Sequence, residues 1–513
     1  MTVREKLGQM LMFGFPGKTP DETSLRLIRE YKAGNVILFS HNIDNAAQLR
    51  SLCELIQHEV QSNTGYPAFI AIDQEGGVVS RLPDDATNFP SAMAVASTGD
   101  INNAYTAGLY TAEELCDLGI NLNLAPVMDL NTNPANPVIG VRSYGDSYRG
   151  AAPYALGMMR GLMDGGVASC VKHFPGHGDT DIDSHLGLPC VNKTEEELLA
   201  CELLPFKDAI HEGVPCVMTA HILFPAIEKQ KLPATMSAVV LQELLRKKLG
   251  FRGIILSDCL EMDAIAKYYG TADSFVRALR AGVNIACISH SPQIAIEALE
   301  KAEKAVADDI LPVDCLNYSL ERILAQKQQY AALNPRTFAT GSPVHREAAR
   351  TISEKSIVRI GREDPMPVPD SNTFFTGCHA YRATFASSAI GSGISFPEYI
   401  AKSFDGKFSI TQVNPGENEI LDVLQRTQPG QTVVVCTYNG HLNTGQLALV
   451  NTLCENHRNV IAIAMRNPYD LFRIDERAYK LAAFEYTPLS FSSVERVLCG
   501  APCEGKLNIS MKR

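Results

Sequence analysis

Eight short, continuously apolar runs separated by longer amphipathic stretches dominate the sequence between Gln9 and Ser289. They are QMLMFGF (9–15), NVILFS (35–40), PAFIAID (67–73), LNLAPVMDL (122–130), ASCVKHF (168–174), PCVMTAH (215–221), GIILSD (253–258) and VNIACIS (283–289). Unbroken apolar character, without polar alternation, suits parallel strands buried on both faces. The intervening stretches, such as TEEELLACELLPFKDAI and LQELLRKKL, carry helical periodicity, with Ser237 and Thr194 placed as N-caps and Glu197 completing a capping box with Thr194. Eight such strand–helix units predict a (β/α)8 TIM barrel. At 513 residues the chain exceeds one core. The segment NPRTFATGSPVH (334–345) reads as a connection. Beyond it, KSIVRIG (355–361), TVVVCTY (432–438), NVIAIAM (459–465) and KLAAFEY (480–486) predict a smaller C-terminal α/β sandwich. The expected division is a catalytic barrel over 1–335 and an α/β domain over 350–513. The second unit has neither a GxGxxG fingerprint nor a P-loop, so it reads as a packing or interface domain.

Composition narrows the function classes. A net charge of -11, spread along the chain, speaks against a nucleic-acid partner, which would need a basic face to neutralise phosphates. No run approaches the ~18 apolar residues of a membrane span, and MTVREKLGQMLMFGF lacks the features of a secretory signal. A soluble, cytoplasmic protein with a small ligand is expected. The 14 cysteines form no CxxC pair and often lie inside apolar runs, as expected of reduced, buried thiols.

Polar residues follow the predicted strands at the end where barrel enzymes carry their sites. Asp73-Gln74-Glu75 follows the third run, Lys172-His173 the fifth, His221 the sixth and Asp258 with Glu261 the seventh; Asp129 with Asn131 and Asn133 stands at the fourth. A shared pocket is expected there. The densest cluster, KHFPGHGDTDIDSHLGLP (172–189), holds three histidines and three aspartates. Taken alone it could be a metal site, an acid/base loop or a polar turn.

That segment, together with AIDQEGG (71–77), APVMDLNTNPANPVIGVRSYGD (125–146) and LSDCLEMDAI (256–265), resembles glycoside hydrolase family 3, in particular its bacterial β-N-acetylglucosaminidase branch. The resemblance covers residues 1 to about 330, and more loosely the tail LCGAPCEGKLNIS. It implies a retaining exo-acting enzyme that releases terminal β-linked N-acetylglucosamine from cell-wall fragments or chitooligosaccharides, with no cofactor and no metal. Peptidoglycan recycling is the implied setting.

The resemblance also assigns roles. Asp258 is implied as the nucleophile, with His185 as the proton-transferring residue oriented by Asp183. An imidazole, with its ordinary pKa near ~6.5, can serve as both acid and base at neutral pH. Asp73, Arg81, Arg142, Lys172 and His173 are implied as sugar-binding residues. Structural alternatives exist: Asp258 could cap a helix starting near Leu260, Arg142 could pair with Asp146, and Lys172 could neutralise a nearby aspartate. Pro175, Gly176 and Gly178 read as a mobile hinge for His185, with His177, Asp179 and Asp181 shaping the loop. Val78, Val79 and Cys259 depart from the branch pattern, and Cys259 invites a test of thiol sensitivity. The absence of Trp fits an enzyme that takes one terminal sugar. Two rival chemistries remain open here. Phosphate could replace water, giving a phosphorylase, or histidines and aspartates at strand ends could bind a hydrolytic metal.

Overall fold

The structure, a computed structural model, describes residues 1–184, 187–331, 340–384, 386–388, 393 and 395–510. The eight expected strands all form: β1 Leu11–Phe13, β2 Asn35–Leu38, β3 Phe69–Ile72, β4 Leu122–Asn123, β5 Ala168–Phe174, β6 Cys216–Thr219, β7 Ile254–Cys259 and β8 Ile285–Ile288. They pair in order as a closed parallel barrel, with Leu11, Met12 and Phe13 of β1 opposite Ala286, Cys287 and Ile288 of β8. β1 to β6 and β8 are buried along their whole length, which is why their runs lack alternation.

β4 is only two residues long, and asparagine side chains extend its hold on β3. Asn121 Oδ1 accepts from the Ile70 amide (2.9 Å) while its Nδ2 donates to the Ala68 carbonyl (2.9 Å). Asn123 does the same for the amide (3.0 Å) and carbonyl (2.9 Å) of Gln74. These amides supplement the short ladder, in which the Leu124 amide also donates to the Ile72 carbonyl (2.9 Å). The Thr194–Glu197 capping box forms ahead of helix Glu195–Ala200. Ser237 departs slightly from expectation: helix Val239–Lys248 has Ala238 at its N-cap, and the Ser237 hydroxyl accepts from the Val240 amide (3.1 Å).

The second unit is a six-stranded sheet of β9 Val358–Gly361, β10 Phe374–Cys378, β11 Lys407–Thr411, β12 Val433–Thr437, β13 Val460–Ala464 and β14 Tyr479–Ala482. The order is β11-β10-β12-β13-β14-β9, parallel except for β9 at one edge. Both faces are covered. Val433 and Val435 pack with Val450 and Leu453 of helix Thr444–Asn456. Val434 and Cys436 pack with Ile400 and Val494 of helices Phe396–Ser403 and Pro488–Leu498. Strands β10 and β11 were not among the predicted runs. The expected boundary at 335 lies outside the described residues.

This sheet unit is joined to the barrel loops by specific bonds. Asn467 Oδ1 accepts from the Val141 amide (2.9 Å), the Asn131 side chain donates to the Tyr469 hydroxyl (2.7 Å), and Glu485 accepts from the Ser91 amide (2.9 Å). Among the described residues no helix is long and apolar enough to cross a membrane.

Candidate active site

At the C-terminal end of the barrel strands lies a cavity of about 660 Å³, large enough for a small ligand. Of the residues singled out in the sequence, Asp73, Arg81, Arg142, Lys172, His173 and Asp258 all line it. Asp183 is buried in the loop after β5, and its neighbour Ser184 lines the cavity. His185 lies outside the described residues.

Two cations of the pocket, Arg142 and Lys172, are held by carboxylates. Glu75 receives Nε and Nη2 of Arg142 side by side (2.8 Å each) and the ammonium of Lys172 (2.6 Å). Lys172 also donates to Asp73 (2.7 Å). Burial opposes the charge on Glu75, but Arg142 and Lys172 outweigh it and hold its carboxyl well below the ordinary value. Burial likewise disfavours charged Lys172, and Asp73 with Glu75 reverses this, raising its pKa. The expected alternative partner of Arg142 is corrected: Asp146 accepts instead from the Ser510 amide (2.6 Å) and its hydroxyl (2.5 Å) in the C-terminal tail.

The loop from Gln74 to Leu82 is closed on the Gln74 side chain, whose Oε1 accepts from the amides of Arg81 (2.8 Å) and Leu82 (3.2 Å). Its return toward the barrel requires glycine: Gly77 has φ +53°, and a Cβ there would stand 2.5 Å from that of Ser91.

A second buried carboxylate organises the histidine segment. Asp129 accepts from Nδ1 of His173 (2.6 Å) and from the backbone amides of His173 (3.2 Å) and His177 (2.7 Å). Nδ1 therefore carries a proton, and Nε2 is the remaining polar atom of a ring that lines the cavity. Burial opposes ionisation of Asp129, but His173 and His177 lower its pKa. A Cβ on Gly178 would lie 1.7 Å from the Leu130 carbonyl oxygen, so only glycine permits this approach. The Pro/Gly segment is thus an anchored turn, which corrects the mobile-hinge expectation for Pro175 to Gly178. His177 does shape the loop: Nδ1 pairs with the Thr180 hydroxyl (2.9 Å) and Nε2 with that of Ser184 (3.0 Å). Asp179 ties down Lys193 (3.1 Å) and accepts from the Thr132 hydroxyl (2.9 Å).

Burial, with His173 beside it, pushes the imidazole of His177 down to about 4. The unfolded chain, with histidine near ~6.5, binds more protons than the native one between those values, so stability rises with pH across that window. The contribution is complete above about 6.5 and is lost as pH falls toward 4. It amounts to roughly 3 kcal/mol. Urea unfolding midpoints measured from pH 7 to pH 4 are expected to fall, and His177→Gln is expected to flatten the change.

Asp258 is near the end of β7, and its Oδ1 accepts from the Cys259 amide (2.7 Å). The capping alternative is corrected, because the following helix spans Asp263–Tyr269 and has Met262 at its N-cap. Glu261 also lines the cavity and accepts from the His290 amide (2.6 Å). Buried His221 donates from Nε2 to the Cys259 carbonyl (2.9 Å) and fixes the chain just beyond Asp258, without lining the cavity. Desolvation pushes the Cys259 thiol up to about 12, so it is protonated at neutral pH and a poor nucleophile. Among the described residues, no three His, Cys, Asp or Glu side chains are grouped as a metal would require.

Sequence reasoning named Glu75 and Asp129 but gave them no role, and it missed Arg382, Ser387 and Ser388 altogether. These three line the cavity from the C-terminal unit, which is therefore more than a packing domain.

With this geometry in place, comparison with known proteins is decisive. Residues 2–325 match the glycosyl hydrolase family 3 N-terminal domain. The chain belongs to glycoside hydrolase family 3. Among curated relatives, it is similar to β-hexosaminidase A of Pseudoalteromonas piscicida, at 35% identity over 72% of this chain and 69% of that one. It is also similar to a β-hexosaminidase of Thiobacillus denitrificans, at 34% identity over 57% of this chain and 81% of that one. Among solved structures, a family 3 β-N-acetylglucosaminidase from Paenibacillus sp. str. FPU-7 superposes with a TM-score of 0.92 at 35% identity, covering 100% of this chain and 99% of that one. The family 3 barrel and the added sheet unit are thus both matched.

Proposed function

We propose that this glycoside hydrolase is a retaining exo-β-N-acetylhexosaminidase that removes terminal β-linked N-acetylglucosamine from peptidoglycan fragments or chitooligosaccharides. Recycling of cell wall in the cytoplasm is the setting this reading implies. The observation that carries it is the convergence of Asp258 with Asp73, Arg81, Arg142, Lys172 and His173 on one cavity of single-ligand size. The names of the similar relatives support the choice of N-acetylated sugar.

In this reading a carboxylate oxygen of Asp258 attacks the anomeric carbon as the bond to the leaving oxygen breaks, and His185 delivers its proton to that oxygen. The neutral imidazole then takes a proton from water. The resulting hydroxide displaces Asp258 from the anomeric carbon, so configuration is retained overall. Asp183, buried two residues before His185, is assigned to orient its ring. Lys172 and Arg142, with Asp73, present donors and acceptors to sugar hydroxyls, and their mutual ion pairs fix these groups before the sugar arrives.

A panel of aryl β-glycosides tests family branch and reaction together. Turnover of the N-acetylglucosaminide well above the glucoside is expected; preference for the glucoside would refute the sugar assignment. Free N-acetylglucosamine, with or without added phosphate, identifies water as acceptor, whereas a sugar 1-phosphate would identify a phosphorylase.

A further inference from the structure

Of the C-terminal residues that line the pocket, Ser388 holds the barrel loop through its hydroxyl. Ser388 Oγ donates to the Ser80 carbonyl (2.6 Å) and accepts from the Ser80 amide (2.9 Å) and from Nη1 of Arg81 (3.0 Å). A hydroxyl has one hydrogen and two lone pairs, so all three capacities are used. Two backbone atoms complete the contact: the Ser388 amide donates to the Val78 carbonyl (2.8 Å), and the Ala386 carbonyl accepts from Nη2 of Arg81 (2.6 Å).

Arg81 needs such support. It is buried and lines the cavity, yet among the described residues no carboxylate forms an ion pair with it, in contrast to Arg142 and Lys172. Burial disfavours its charge, Asp73 and Glu75 attract it without touching it, and Arg142 and Arg382 repel it. With no carboxylate in contact, the guanidinium takes its orientation from neutral acceptors, and among the described residues both that meet its terminal nitrogens belong to residues 386–388.

We propose that Ser388 is a positioning residue for sugar binding, through which the C-terminal unit fixes Arg81 in the pocket of the barrel. This rests on the sugar-binding role given to Arg81 above. The side chain of Ser388 acts on the guanidinium and on the Gln74–Leu82 loop that carries it, so its contribution belongs to substrate capture, with the chemical step left to Asp258.

The test is a double-mutant cycle in the full-length enzyme with an aryl N-acetylglucosaminide as the substrate. Ser388→Ala is expected to raise KM by about tenfold with kcat nearly unchanged, the pattern of an interaction made equally in ground and transition states. In an Arg81→Ala background the same change is expected to leave KM unaltered, because the group it positions is gone. Ser388→Thr, which keeps the hydroxyl, is expected to restore KM. If Ser388→Ala does not fold, Ser388→Cys serves in the cycle, since it keeps the volume but accepts hydrogen bonds weakly. An equal KM penalty in both backgrounds, or an unchanged KM in the single variant, overturns the proposal. A wild-type enzyme inactive on the N-acetylglucosaminide but active on another glycoside instead overturns the substrate reading, and the cycle is then run on that glycoside.

Discussion

Asp258→Ala is expected to abolish turnover, lowering kcat by roughly four orders of magnitude or more, as removal of a covalent nucleophile generally does. The variant should fold, because the Asp258 side chain sits at the cavity wall near the end of β7 and the strand's own pairing is untouched. A small anion such as azide can occupy the space left by the carboxylate and attack from the same face. The expected product is then a glycosyl azide of inverted, α configuration. A mechanism-based fluorinated sugar should label Asp258 in the wild type, and labelling of Glu261 instead would reassign the nucleophile. His185→Ala separates the two steps: substrates with good leaving groups need no proton donor, so formation of the glycosyl-enzyme is spared while its hydrolysis slows.

Glu75→Ala is expected to produce the largest loss of stability, about 3–5 kcal/mol, because it leaves the buried guanidinium of Arg142 without its carboxylate and takes from Lys172 one of its two. Glu75→Gln keeps the volume and an acceptor and should lose less. Sugar affinity should fall in both, since Arg142 and Lys172 lose the constraint that aims them. The urea midpoint of the barrel transition and N-acetylglucosamine binding check the two effects separately. An unchanged midpoint for the alanine variant would contradict the hub role given to Glu75.

The barrel was legible because its signal is local: eight buried runs, most of them ending in a polar residue, need no knowledge of partners. The missed strands lack that signal. β11 is an edge strand whose Lys407, Phe408 and Ile410 are exposed, and β10 contains Gly377 within only five residues. The site was legible residue by residue, while its wiring was not. Glu75 and Arg142 are 67 positions apart, and nothing in either motif distinguishes that pairing from the nearer Asp146. Ser388 lies more than 300 residues from Arg81 in a segment without any motif, so only folding reveals that it joins the pocket. The opposite error, a flexible Pro/Gly hinge, arose because glycine permits both free motion and close packing. The contact of Gly178 with Leu130 selects the latter.

The grip of Asp129 on the histidine segment divides that segment functionally. Up to Thr180 it is fastened to the β4 loop, so the groups that would recognise the sugar are insulated from changes farther along. Past Thr180, among the described residues, the hold is indirect: His177 reaches the Ser184 hydroxyl (3.0 Å). Substitutions at the exposed Asp181 and Ile182 are expected to change which leaving group is accepted more than which sugar is released. Aglycone preference and sugar preference are thus expected to respond to different parts of one continuous loop.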